Sequence, residues 1–76
     1  MNTAARVLVV DDEPGIRSSL CEVLSDEGYA TAAVEDGEAC LEEVSKGYDL
    51  VLLDVWLPGI DGLETLARIQ EIPFTD

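Results

Sequence analysis

Arg6-Val7-Leu8-Val9-Val10, closed by Asp11-Asp12, and Tyr48-Asp49-Leu50-Val51-Leu52-Leu53, closed by Asp54, are the two stretches that decide the fold of this chain. Both are nearly continuous in Val and Leu rather than alternating. That pattern marks strands buried on both faces, as in a parallel sheet. In an open parallel sheet, ligands bind beyond the carboxyl ends of the strands. Asp11, Asp12 and Asp54 should therefore meet at one edge, with no Lys or Arg inside the two acidic strand ends to neutralise them. Like charges held together are unfavourable unless a cation joins them. A hard ion such as Mg²⁺ takes a few carboxylate oxygens together with water and phosphate oxygens.

Between and after these stretches the pattern changes to helical spacing. Pro14 suits the first turn of a helix, where its missing N–H is not needed. Ile16, Leu20, Val23 and Leu24 form one apolar stripe, and Gly28 ends that helix with a left-handed cap. Tyr29 to Val34 reads as a second strand. Asp36 caps a second helix with Cys40, Leu41 and Val44 on its apolar face, closed by Lys46-Gly47. The third strand runs from about Asp49 to Leu53. Val55 to Ile60 is an apolar loop broken by Pro58-Gly59. Asp61 and Glu64 have capping-box spacing, so a third helix starts near Gly62, with Leu63, Leu66, Ala67 and Ile69 inward and Pro73 as its stop. The order strand-helix-strand-helix-strand-helix, with right-handed crossovers, places helices on both faces of a parallel sheet.

Composition narrows the function. The chain has 76 residues, of which 17 are acidic and 4 basic, for a formal charge of −13. A phosphate backbone or an anionic membrane surface would be repelled, so direct nucleic-acid or membrane binding by this segment is not expected. The apolar runs are too short to span a bilayer. The first residues lack the layout of a signal peptide, so the default compartment is the cytoplasm. Cys21 and Cys40 suit reduced thiols there. They are expected on different helices on opposite faces of the sheet, out of reach of a bridge. The chain has no His, which removes imidazole metal ligands and His-dependent triads. Hydrophobic content is 47%, enough for a core, though a core of this size is marginal.

Val7-Leu8-Val9-Val10-Asp11-Asp12-Glu13-Pro14, followed by Leu50 to Asp54 and Val55-Trp56-Leu57-Pro58-Gly59-Ile60-Asp61-Gly62, resembles the receiver domain of two-component response regulators. The wording Asp54-Val55-Trp56-Leu57-Pro58-Gly59 is similar to the nitrogen-regulator branch, whose full-length members often drive σ54-dependent transcription. The resemblance implies a flavodoxin-like fold. It implies Asp54 as phosphoacceptor, taking a phosphoryl group from a sensor histidine kinase. It also implies Mg²⁺ held by Asp12 directly, by Asp11 mainly through water, by Asp54, and by the backbone carbonyl of Trp56. Such a module is a signalling device that catalyses at most its own phosphorylation and dephosphorylation.

Complete receiver domains have five strands in the order 2-1-3-4-5. Residues 1–76 read as a partial receiver domain: a three-stranded sheet of order 2-1-3 with three helices, without the fourth and fifth strand-helix units. The phosphate-binding hydroxyl and Lys of those strands have no counterpart. Thr75 comes too early and Lys46 sits in the wrong segment. Impaired phosphorylation is therefore expected. So is association of copies, by pairing at the open third-strand edge or by exchange of elements.

Other readings fit the same residues less well. Asp11 and Asp12 could cap a helix, and Asp54 could be a solvated turn residue, but their convergence at one edge argues against both. A receiver scaffold that binds without switching is the main alternative. Haloacid-dehalogenase-type chemistry needs a second Asp two residues after the nucleophile, where this chain has Trp56. Asp12-Glu13-Pro14-Gly15 is neither a Walker loop nor G-x-G-x-x-G, and would repel pyrophosphate. The side chain of Trp56 suits packing or partner contact.

Overall fold

The computed structural model describes residues 4–71. Six elements alternate along the chain: β1 (Arg6–Val10), α1 (Pro14–Asp26), β2 (Ala30–Val34), α2 (Gly37–Val44), β3 (Leu50–Leu53) and α3 (Gly62–Gln70). The strands are parallel and lie in the order β2-β1-β3. The fold is thus the three-stranded 2-1-3 arrangement read from the sequence; β1 has its expected limits, and β2 and β3 each begin one residue later than expected. Pro73 and the tail 72–76 lie outside the described residues.

β1 is the central strand, and this explains its composition. Val7, Leu8, Val9 and Val10 are all buried, because neighbours cover both faces of the strand. Leu8 and Val10 pack with Cys40 of α2 and Leu57 of the loop after β3, flanked by Ala32, Val34, Val51, Leu53, Tyr48 and Ile69. Val9 instead lines a groove together with Leu20 of α1 and Leu52 of β3. Alternate residues of one strand thus serve two faces. Cys21 and Cys40 are both free, on α1 and α2 respectively. Burial pushes the Cys40 thiol up from its ordinary pKa.

The helix ends follow their residues. Asp36 Oδ1 accepts from Ala39 N at 2.8 Å, and Asp61 Oδ1 accepts from Glu64 N at 2.9 Å. The expected capping box at α3 is half made, because the Glu64 side chain instead accepts from Arg68 Nε at 2.9 Å. Gly28 has φ +95°, the left-handed backbone expected after α1.

Two helix faces differ from expectation. On α1, Leu20 and Leu24 are half-buried, but Ile16 and Val23 are exposed. The described residues supply β1 and β2 as the sheet surface under α1, and this is too narrow to cover its whole stripe. On α3, Leu63 and Leu66 are exposed, as is Ala67, while Gly62 and Thr65 are buried and Ile69 is half-buried. The inward stripe is therefore Gly62, Thr65 and Ile69, one turn-spacing apart. Close packing sets this phase. A Cβ at Gly62 would overlap the Asp54 carbonyl oxygen and lie 2.6 Å from Val55 Cα. A Cβ at Gly37, on α2, would overlap Thr65 Oγ1. The Thr65 hydroxyl is satisfied by donating to the Asp61 carbonyl at 2.8 Å.

At the amino edge of the sheet, charges are paired. Arg6 N donates to Asp49 Oδ2 at 2.7 Å, and Arg6 Nη1 donates to the Lys46 carbonyl at 3.2 Å. The Arg6 guanidinium lies 4.6 Å from the centre of the Tyr48 ring. The Tyr48 hydroxyl donates to Glu43 Oε2, and Lys46 Nζ pairs with Glu43 Oε1 at 3.0 Å. Tyr48 thus packs against the core with its body and closes the knot with its hydroxyl.

Candidate functional site

The carboxyl edge of the sheet is built from two adjacent strand ends. Parallel pairing of β1 with β3 brings Val10 level with Leu53. The ladder continues one residue further, as Asp54 N donates to the Val10 carbonyl at 3.0 Å. On the other side, Asp11 N donates to the Val34 carbonyl of β2 at 3.2 Å. Asp11 and Asp54 are therefore held at one level by main-chain bonds, and Asp12 follows at the start of the turn into α1.

The structure brings the three sequence-picked aspartates together. One carboxylate oxygen from each of Asp11, Asp12 and Asp54 lies within 4.8 Å of the other two. Asp11 and Asp54 are half-buried and Asp12 is exposed. Asp11 Oδ1 accepts from Glu13 N at 3.0 Å, and Asp54 Oδ1 accepts from Trp56 N at 3.1 Å. Each acid thus turns its own loop back on itself. The donor set is all oxygen, with no nitrogen or sulfur among the three. Two ligands on one Mg²⁺ stand about 3–4 Å apart when each is about 2.1 Å from the ion. A spread within 4.8 Å fits a single hard cation with small side-chain adjustment.

The loop after Asp54 is anchored at both ends. Leu57 is buried in the core, and Gly62 N donates to the Val55 carbonyl at 3.0 Å. Trp56, between these anchors, is 85% exposed, which leaves its ring to solvent rather than to packing. Beside Asp11 and Asp54 lies a groove of about 370 Å³, lined otherwise by Val9, Val10, Leu20, Leu52 and Leu53. Among the described residues, no Lys and no hydroxyl side chain lines this groove.

Sequence reasoning missed one contributor. Arg17 of α1 reaches back and donates through Nη1 to the Asp11 carbonyl at 2.8 Å. The acceptor is main chain, so no pattern of side-chain types announces the contact. The remaining signal is a basic residue within the first turns after an acidic strand end.

The geometry agrees with known proteins. Residues 7–75 match the response regulator receiver domain model. Sporulation initiation phosphotransferase F of Bacillus subtilis is 47% identical over 68 residues, covering 88% of this chain and 55% of the relative. Against curated transcriptional regulatory proteins the chain spans 26–30% of their length. Among solved structures, the response regulator TrrA of Thermotoga maritima, in complex with Mg²⁺-BeF, is 50% identical with a TM-score of 0.84. That match covers 88% of this chain and 59% of TrrA. TrrA has also been solved in complex with the histidine kinase ThkA. NtrX of Brucella abortus is 42% identical with a TM-score of 0.84, over 91% of this chain and 16% of NtrX. No helix among the described residues is long and apolar enough to cross a membrane. Because the match runs through both acidic strand ends and the sheet order that brings them together, the chain belongs to the response regulator receiver domain family.

Proposed function

We propose that this chain is the phosphoacceptor module of a two-component system, in which Asp54 takes a phosphoryl group from a sensor histidine kinase. The observation that carries the reading is the convergence of Asp11, Asp12 and Asp54 within 4.8 Å at the carboxyl edge of a parallel sheet. In the transfer, one Asp54 oxygen attacks phosphorus, the P–N bond of the phosphohistidine breaks, and the imidazole leaves with the electron pair. Asp54 Oδ1 is engaged by Trp56 N, which orients the carboxylate and leaves Oδ2 to attack. Positioning of this kind is most of what a loose phosphoryl-transfer transition state needs from a protein.

Asp12, Asp54, the Trp56 main-chain carbonyl and, through water, Asp11 would hold Mg²⁺. When bound, the ion neutralises the acidic cluster and the charge on the incoming phosphoryl oxygens. The kinase partner is supported by family membership and by the ThkA complex of TrrA. The σ54-activator branch is supported by the Asp54-Val55-Trp56-Leu57-Pro58-Gly59 wording and the likeness to NtrX. We read residues 1–76 as part of a receiver domain acting in the cytoplasm. Its activity is phosphoacceptance, not turnover of a separate substrate.

The test is direct. With Mg²⁺ and acetyl phosphate, intact-protein mass spectrometry should detect a phosphoryl adduct that Asp54→Asn abolishes. A folded wild-type chain that gains no adduct, and shows no Trp56 fluorescence change with Mg²⁺ and beryllofluoride, removes the phosphoacceptor reading.

That result would favour the second reading, a binding scaffold that does not switch. Its specific support is the groove at Asp54, which has neither Lys nor hydroxyl lining to grip a phosphate. Among the described residues, β3 is also a sheet edge, with Leu50 half-exposed at its start. An apolar edge with free main-chain groups favours pairing between copies or element exchange. Sedimentation should show a dimer at high concentration that Leu50→Lys shifts to monomer; a monomer throughout rules association out.

A further inference from the structure

Four basic residues occur in the chain, and three are engaged away from the acidic cluster. Arg6 lies in the amino-edge knot with Tyr48 and the Lys46 carbonyl. Lys46 pairs with Glu43, and Arg68 with Glu64 at 2.9 Å. Arg17 differs in place and in partner. Its guanidinium donates to the Asp11 carbonyl in a half-buried contact, against the turn that carries Asp11 and Asp12. It also fronts a cleft of about 310 Å³ shared with Ala33, Val34, Glu35 and Ala39. The cation therefore lies between the turn after β1 and the turn after β2.

The choice of acceptor matters. An Arg guanidinium commonly takes a carboxylate in a bidentate pair. Here it takes a main-chain oxygen, which braces the turn without taking up a carboxylate oxygen. At its helix end the turn is held by Asp11 Oδ1, which accepts from Glu13 N at 3.0 Å. Glu13, the N-cap of α1, makes no side-chain capping bond.

Building on the phosphoacceptor reading, we propose that Arg17 is a positioning residue for the cation site, holding the Asp11 carbonyl so that Asp11 and Asp12 are presented to Asp54. Two consequences of the guanidinium have opposite signs. Its charge opposes a nearby cation by Coulomb repulsion. Its hydrogen bond preorganises the ligands and favours the same cation. The proposal states that the second effect is larger, and removal of Arg17 separates the two.

The experiment uses the full chain with Arg17→Met, which keeps an unbranched stem without charge or donor. Mg²⁺ binding is measured by titration calorimetry, and metal-free amide spectra are recorded for both proteins. Arg17→Met should weaken Mg²⁺ binding about ten-fold, the scale set by one charge-assisted hydrogen bond. It should also shift the amides of Asp11, Asp12 and Glu13 while leaving those of α3 in place. A contribution to stability alone would lower the melting temperature without weakening binding in the folded fraction. Unchanged or tighter binding overturns the proposal. If Arg17→Met does not fold, Arg17→Lys carries the test. It keeps the charge but not the planar fork, and should still bind Mg²⁺ several-fold more weakly; wild-type affinity in that variant overturns the proposal. A wild-type chain that binds no Mg²⁺ sinks the phosphoacceptor reading and this inference together. Wild-type binding with an indifferent Arg17→Met sinks only the inference.

Discussion

The two edges of the sheet handle charge in opposite ways. At the amino edge, Arg6, Glu43, Lys46, Tyr48 and Asp49 are tied to one another by hydrogen bonds, an ion pair and a cation over a ring. At the carboxyl edge, three carboxylates face one space, and the one guanidinium that reaches the turn bonds to a main-chain oxygen. The first edge satisfies its groups internally and is structural. The second holds like charges together, and in the function proposed above a cation completes it. An uncompensated cluster held in place by main-chain bonds is a sign of binding, because folding alone gives no reason to assemble it.

The contrast can be broken most severely at Gly62. Gly62→Ala places a methyl group into the Asp54 carbonyl and against Val55 Cα, neither of which can rotate away. It should destabilise the chain by about 3 kcal/mol in chemical denaturation and disturb the acidic edge with it. A loss within experimental error would show that the contact at Asp54 is slack.

Asp54→Asn sharpens the contrast from the other side. It removes one of three like charges, so the metal-free variant should be more stable than wild type. The gain is roughly 1 kcal/mol, the Coulomb energy of two charges about 4 Å apart in water. Mg²⁺ should then raise the melting temperature of wild type more than that of the variant. Equal stabilisation of both by Mg²⁺ would break the link between cluster and cation.

The smallest effect belongs to the amino edge. The Tyr48 hydroxyl and Lys46 hold the Glu43 carboxyl below the usual Glu range. Hydrogen bonding to Glu43 raises Tyr48, and pairing with Glu43 raises Lys46. A lowered Glu43 contributes stability that is present above its unfolded pKa and is lost as pH falls through its folded value. Raised Tyr48 and Lys46 contribute stability present below their unfolded pKa values and lost as pH rises through the folded ones. Thermal unfolding across pH should therefore show a shallow decline at both ends. Tyr48→Phe should flatten the alkaline decline and reduce the acid one, with Mg²⁺ affinity unchanged. An altered affinity would mean that the two edges communicate.

Much of this architecture is legible in the residues themselves. The Val and Leu runs at β1 and β3, the caps Asp36 and Asp61, and the aspartates at the strand ends are local patterns with local causes. The phase of α3 is not of that kind. Leu63, Leu66 and Ile69 are the large apolar residues of α3, so hydrophobicity alone turns all three inward, yet both leucines are exposed. What orients the helix is the absence of a side chain at Gly62, which lets its backbone approach Asp54, and Thr65 packed where α2 has its own glycine, Gly37. Shape outranks hydrophobicity there, and shape depends on partners distant in sequence. Arg17 was hidden for a related reason, since its acceptor is a carbonyl that every residue possesses. The Arg6–Asp49 contact joins residues 43 apart and exists only once β1 and β3 pair.

The missing side chain at Gly62 has a mechanical consequence. Helix α3 begins in direct backbone contact with residue 54, with no compressible layer of methyl groups between them. Packed interiors transmit displacement instead of absorbing it. If Asp54 is loaded as proposed, a movement of its peptide would be passed to α3 as a whole.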